Sequence, residues 1–186
     1  MGVHSLSVGR GPAVFLDRDG VLNRIKIRDG MPYAPDTLAE LEIPADASDA
    51  LGRLKRAGFA LIVVTNQPDV PRKLQTKEMV EALNAAIGAT LPLDEFRVCY
   101  HDNADNCPCR KPKPGLLLQD PVYDVGHSYM VGDRWRDIEA GKAAGVRGTV
   151  LIHSGHTEPS RSEPDFRAES LTEAADWILN DSKRST

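Results

Sequence analysis

Val14-Phe15-Leu16-Asp17-Arg18-Asp19-Gly20-Val21-Leu22-Asn23 decides the reading of this 186-residue chain: an apolar run stops at two acids, one residue apart, followed by glycine. Alternate residues of a strand project to one side. The pattern therefore predicts a buried strand with Asp17 and Asp19 facing one small volume at its mouth and Arg18 pointing elsewhere. Gly20 lets the backbone turn and approach a ligand closely. Aspartates are ionised near neutrality, so Asp17 is a candidate nucleophile toward phosphorus that needs no activating base. A hard divalent cation with oxygen ligands would relieve its repulsion from a phosphate. Asp19 is then placed to protonate a leaving oxygen and later take a proton from water.

Outward from this stretch, residues 24–41 form a polar loop punctuated by Gly and Pro, long enough to be functional. Helical spacing of Ala47, Ala50, Leu51 and Leu54 predicts a helix over 45–57 that Gly58 stops. Residues 60–64 are continuously apolar, as in a parallel strand buried on both faces, and end in Thr65-Asn66-Gln67. A helix over 76–90, strands over 96–100 and 128–131, a helix over 137–144 stopped by Gly145, and a strand over 149–152 follow. This alternation predicts an α/β fold, a Rossmann-like doubly wound parallel sheet with right-handed crossovers. Ligands in such sheets lie beyond the carboxyl ends of the strands, where Asp17, Thr65 and Asp133 would all stand. Leu116-Leu117-Leu118 begins a helix that Asp120-Pro121 breaks. Residues 154–169 read as loop, and Ser170 with Glu173 opens a last helix over about 171–180, with Leu171, Ala174, Ala175, Ile178 and Leu179 on one face.

The length suits one domain spanning residues 1–186. A net charge of −4 leaves no broad basic surface for nucleic acid. No apolar run approaches the roughly 18 to 20 residues of a membrane span, and residues 1–12 lack the apolar centre of a secretory signal. A cytoplasmic monomer without membrane or nucleic-acid partners is the expectation.

All three cysteines, Cys99, Cys107 and Cys109, crowd into one short window with His101. Three thiols and an imidazole suit a closed, tetrahedral, structural zinc site. The window runs straight into Arg110-Lys111-Pro112-Lys113-Pro114-Gly115, so a pinned loop would fix where Arg110 and Lys111 point. His4, His127, His153 and His156 lie outside every motif, and Trp135 and Trp177 read as packing residues.

Taken together, Asp17-Arg18-Asp19-Gly20, Thr65, Lys111 and Gly132-Asp133-Arg134-Trp135-Arg136-Asp137 resemble, in order, the four motifs of the haloacid dehalogenase superfamily, with the likeness spanning about residues 13–153. The resemblance implies Asp17 as the phosphorylated nucleophile and Asp19 as acid and base. It further implies Thr65 and Lys111 as holders of the phosphoryl group, and Mg2+ held by Asp17, the Asp19 carbonyl and Asp133, with Asp137 in support. The Cys-x-His and Cys-x-Cys-Arg-Lys-Pro-Lys-Pro-Gly combination looks like the zinc-bearing branch of heptose bisphosphate and histidinol-phosphate phosphatases. That implies Zn2+ on Cys99, His101, Cys107 and Cys109, and substrate contacts from Gly20, Asn66, Gln67 and Arg110. The five-residue spacer between His101 and Cys107 favours a histidinol-phosphate substrate, whereas Lys113-Pro114-Gly115 and the following leucines favour a phosphorylated heptose. Motif spacing leaves no room for a large cap domain, so short loops should close the site, with Lys26, Arg28 and Arg72 as candidates for a second phosphate or sugar hydroxyls. The rival from another class is a zinc-stabilised binding module without catalysis, which retention of every catalytic side chain argues against.

Overall fold

Ala13–Leu16, the apolar run before the paired acids, is completely buried because it is flanked by strands on both edges and covered on both faces. The computed structural model describes residues 11–120, 122–156, 158 and 161–185; His4 and most of residues 1–12 lie outside the described residues. Along the chain run β1 (Ala13–Leu16), β2 (Lys26–Arg28), β3 (Met31–Tyr33), α1 (Ala47–Arg56), β4 (Ala60–Asn66), α2 (Lys77–Thr90), β5 (Glu95–Cys99), β6 (Tyr129–Gly132), α3 (Trp135–Ala144), β7 (Gly148–Ile152), β8 (Phe166–Ala168) and α4 (Leu171–Ser182).

Six strands form a parallel sheet in the order β5-β4-β1-β6-β7-β8. The order reverses between β1 and β6, and in sheets of this kind the crevice at such a reversal is the ligand site. Period-two alternation feeds two cores. Val14 and Leu16 of β1, Leu61 and Val63 of β4, and Tyr129 and Val131 of β6 pack with α1 and α4. Phe15, Ile62, Val64 and Met130 face Ala140 of α3 and the segment carrying Leu116, Leu117 and Tyr123.

Helix α1 turns Ala47, Ala50, Leu51 and Leu54 inward at the predicted spacing, and the chain leaves it through Gly58 at φ +94. At the start of α2, the Thr76 hydroxyl accepts from Met79 N at 3.2 Å. At α4 the Ser170 hydroxyl accepts from Glu173 N at 3.2 Å, while the Glu173 carboxylate reaches back to Glu169 N rather than to Ser170.

Three expectations need correction. Residues 24–41 contain the antiparallel hairpin β2–β3, turned by Asp29 (φ 51) and Gly30 (φ 74), a pair of left-handed residues that favours tight hairpins. Residues 154–169 contain β8, a three-residue edge strand too short to show alternation. Leu116-Leu117-Leu118 makes only one turn, with Leu117 N and Leu118 N both donating to Pro114 O.

Arg97 of β5 fastens that turn to the sheet. Its guanidinium donates to the carbonyls of Leu116 and Leu117 at 2.9 and 3.2 Å, pairs with Glu95 at 2.8 Å, and lies against the Phe15 and Tyr123 rings. Truncation would leave two buried carbonyls unpaired. Arg97→Ala should therefore cost about 2–3 kcal/mol in urea unfolding, and an unchanged midpoint would show that the turn holds without it.

Candidate active site

Asp17 directly follows β1, and its amide extends the ladder to Val131 O at 2.9 Å. Its carboxylate meets Lys111 Nζ at 2.8 Å. The same ammonium reaches Asp137 Oδ1 at 2.6 Å and Val64 O at 2.8 Å, so all three of its donors are used. Lys111 is only 3% exposed. Burial works against its charge, but Asp137 and Asp17 outweigh burial and hold it protonated, well above the ordinary lysine range. Burial pushes the Asp17 carboxyl up to about 6, against the opposing pull of Lys111 and with Asp137 and Asp19 adding to the rise.

Asp133 follows β6 and Asp137 sits in the first turn of α3, where its carboxylate accepts from Arg134 N at 3.0 Å. Both Asp133 oxygens are buried and accept no hydrogen bond among the described residues, and Arg134 Nε stands 3.8 Å away. Burial, followed by Asp17 and Asp137, raises this carboxyl well above its usual value. One Asp17, Asp133 and Asp137 oxygen each lie within 4.8 Å of one another. Asp137 is already committed to Lys111 and Arg134, so the bare Asp133 carboxylate beside Asp17 is what fits a hard cation. Gly20, at φ +90, permits this closeness: a β-carbon there would stand 2.2 Å from Asp133 Oδ2.

Asp19 lies apart from that cluster and is held by four hydrogen bonds: two from Arg18 at 3.2 and 3.0 Å, one from Asn23 at 3.1 Å and one from Gln67 at 2.8 Å. Burial would raise its carboxyl, but Arg18 and these hydrogen bonds more than offset that and hold it below the ordinary value. Arg18 thus does not point away as the strand pattern predicts. Its guanidinium, 1% exposed, folds back onto Asp19 and donates to Asn84 of α2 at 2.9 Å.

Thr65 lies buried in β4, with its hydroxyl accepting from Gln67 Nε2 at 3.0 Å. Gln67 therefore bridges Thr65 and Asp19. The Asn66 side chain clamps the Lys111 backbone, donating to its carbonyl and accepting from its amide, both at 3.1 Å. These two amides hold the machinery in place, a role their turn position alone does not reveal.

Cys99, His101, Cys107 and Cys109 converge. Sulfur pairs stand 3.3 to 3.7 Å apart, and His101 Nδ1 lies 3.6 and 3.3 Å from Cys99 and Cys109. A zinc tetrahedron with bonds of about 2.3 Å has S–S edges of about 3.8 Å, so the four residues fit a metal with little adjustment. Burial pushes the Cys99 thiol up to about 12, which a bound cation would reverse. The Arg110 amide donates to Cys107 Sγ at 3.3 Å, and the Arg110 guanidinium donates to Asn103 Oδ1 at 2.8 Å and His101 O at 3.2 Å.

Above the acids opens a cavity of about 450 Å³ whose walls include Thr65, Asn66, Gln67, Arg110 and Lys111. The hairpin contributes Met31 and Tyr33 to its rim, and the loop after β4 contributes Leu74. Arg72 also lines it but spends its guanidinium on Asp102 at 2.7 and 2.5 Å, tying that loop to the cysteine loop and holding Asp102 down at about 2. Arg28 and Lys26 lie outside the lining, paired with Asp36 and Glu40. Arg134 and Arg136 do line it, two members of motif four to which the sequence pattern assigns no role.

Comparison with known proteins follows the same lines. The HAD-hydrolase-like family model matches residues 108–174. The D-glycero-β-D-manno-heptose-1,7-bisphosphate 7-phosphatase of Escherichia coli K12 is 36% identical over 184 residues, covering 91% of this chain and 88% of the relative. The chain belongs to the haloacid dehalogenase-like phosphatases. Among solved structures, the D,D-heptose 1,7-bisphosphate phosphatase of B. bronchiseptica, crystallised with magnesium and phosphate, superposes with a TM-score of 0.73 at 25% identity, covering 91% of this chain and 99% of that one. A putative HAD-like phosphatase from Mesorhizobium loti gives a TM-score of 0.75 at 26% identity, covering 94% and 88%. No helix among the described residues is long and apolar enough to cross a membrane.

The acid cluster makes a pH-dependent prediction for magnesium-free protein. Asp17 and Asp133 have folded-state values above their unfolded value of 3.8, so the folded chain holds more protons and stability falls as pH rises from there through about 6. At pH 7.5, Asp133→Asn should melt about 2–6 °C above the wild type without magnesium, and millimolar magnesium should raise only the wild type. Equal melting of the two in magnesium-free buffer would contradict the strained acid cluster.

Proposed function

We propose that this protein is a magnesium-dependent phosphomonoesterase that works through an aspartyl-phosphate on Asp17 and removes the 7-phosphate of D-glycero-D-manno-heptose 1,7-bisphosphate. The observation that carries the reading is the Lys111 ammonium seated between Asp17 and Asp137 at 2.8 and 2.6 Å, with the bare Asp133 carboxylate alongside. The relatives above, named for this substrate, support the choice of sugar.

An Asp17 oxygen attacks phosphorus, the bond from phosphorus to the sugar oxygen breaks, and that oxygen takes the proton of Asp19. Water then attacks the aspartyl-phosphate, Asp19 accepts its proton, and inorganic phosphate departs with Asp17 restored. Lys111 and Thr65 hold the transferring oxygens. Magnesium on Asp17, Asp133 and the Asp19 carbonyl would supply charge neutralisation and alignment. Arg18 keeps Asp19 ionised in the free protein, and an arriving phosphate opposes Arg18 and favours the protonated acid that the first step needs.

Zinc on Cys99, His101, Cys107 and Cys109 serves structure, fixing the loop that presents Arg110 to the substrate and Lys111 to Asp17. Thiolate ligands of this kind suit a reducing compartment, which supports a cytoplasmic location. Histidinol phosphate is the second reading, favoured by the spacer between His101 and Cys107, and direct comparison of turnover separates it from the heptose.

Replacing Asp17 by Asn should lower kcat by about a thousandfold or more while circular dichroism stays unchanged; retained turnover would remove the mechanism. Purified protein should carry about one zinc per chain, and Cys107→Ser should lose it together with several degrees of melting temperature. Metal analysis finding no zinc in a fully stable wild type would sink the structural role.

A further inference from the structure

Four arginines line the cavity above the acids, and they differ in what their charge already meets. Arg72 is matched by Asp102 and by Asp69 at 3.5 Å. Arg134 stands 3.8 Å from both Asp133 and Glu158. Arg110 donates to two neutral oxygens that hold it in place. Arg136, like Arg134, makes no hydrogen bond from its guanidinium among the described residues, but it faces one loosely placed acid instead of two and is set over an aromatic ring. Its nearest acid in the ion-pair network is Glu158 Oε2 at 3.7 Å, beyond hydrogen-bonding reach.

The group is nevertheless held in place. Its carbon lies 4.6 Å from the centre of the Trp135 ring, and the Arg161 guanidinium stands at the same 4.6 Å from that ring. Stacking on an aromatic face fixes a guanidinium plane while leaving its N–H edge unspent. Arg136 also sits in the first turn of α3, one residue before Asp137, so its backbone position is set by the element that holds the Lys111 partner Asp137. A preoriented fork of donors on the wall of a phosphoryl-transfer pocket is suited to bidentate binding of a phosphate oxygen pair.

We infer that Arg136 is a specificity-determining residue that binds the second, non-transferred anionic group of the substrate, so that the site selects sugar bisphosphates over the corresponding monophosphates. The inference rests on the phosphomonoesterase reading of the pocket. It extends that reading by assigning a recognition role to a residue whose neighbours in the motif are the acids Asp133 and Asp137 of the cluster. Trp135 and Arg161 position Arg136 rather than touching the substrate's phosphate themselves.

The test is steady-state kinetics of the wild type, Arg136→Gln and Arg136→Lys on paired substrates: D-glycero-D-manno-heptose 1,7-bisphosphate against heptose 7-phosphate, and fructose 1,6-bisphosphate against fructose 6-phosphate. The wild type should prefer the bisphosphate of at least one pair by about tenfold or more in kcat/KM, the worth of a charge-assisted hydrogen bond. Arg136→Gln should erase most of that preference through KM, with kcat changed less, and Arg136→Lys should recover part of it. A preference that survives Arg136→Gln within about twofold, or a loss carried wholly by kcat, overturns the assignment. Should the wild type hydrolyse monophosphates with no preference for either bisphosphate, the role of Arg136 falls while the phosphomonoesterase reading stands. Should it hydrolyse no phosphate ester with magnesium present, both fall.

Discussion

The Lys111 ammonium divides its donors among Asp17, Asp137 and the Val64 carbonyl, and so ties the end of β1, the end of β4 and the first turn of α3 to one point. Burying an unpaired ammonium would cost several kcal/mol, and this one is tolerable only because two carboxylates and a carbonyl meet it at hydrogen-bonding distance. Remove any of those partners and the remaining charges are left in a dry interior. The rest of the site is arranged to keep the ammonium there. Asn66 grips its backbone from both sides, and the Cys and His cluster pins the chain just before it.

Charge counting around that point explains the need for a further cation. Asp17, Asp133 and Asp137 set three carboxylates against one ammonium and the Arg134 guanidinium 3.8 Å from Asp133, a net surplus of one negative charge, while Asp19 is matched separately by Arg18. The surplus gathers where both Asp133 oxygens lack donors. A divalent ion with oxygen ligands is the natural complement to such a surplus. The same surplus would repel a phosphate approaching the free cluster, so the arrangement that binds the ion also makes the chemistry conditional on it.

The mouth of the cavity is divided between two chemistries. Met31 and Leu74, at 58% and 74% exposure, form an apolar rim with Tyr33, supplied by the β2–β3 hairpin and the loop after β4. Arg110 and Arg136 form a cationic rim, supplied by the cysteine loop and the start of α3. A ligand with C–H faces at its middle and an anionic group at its far end matches both rims. These rims come from short elements, and the loop after β4 is tied to the cysteine loop through Arg72 and Asp102.

Residue order alone determined the alternating strands and helices, the two acids at the mouth of β1, and the grouping of Cys99, His101, Cys107 and Cys109, because apolar periodicity and short residue spacings are local properties of a chain. The hairpin was missed because its one turn signal, Asp29-Gly30, lies in a polar stretch without strand alternation, and β8 because it is only three residues long. Only the folded arrangement decided that Arg18 turns back onto Asp19, that Arg97 fastens a turn twenty residues on, that Asn66 and Gln67 hold other side chains in place, and that Arg136 faces the cavity with its donors unspent. Those outcomes depend on where a long polar side chain finds a partner once desolvated, and such partners come from distant parts of the sequence whose distances only packing sets.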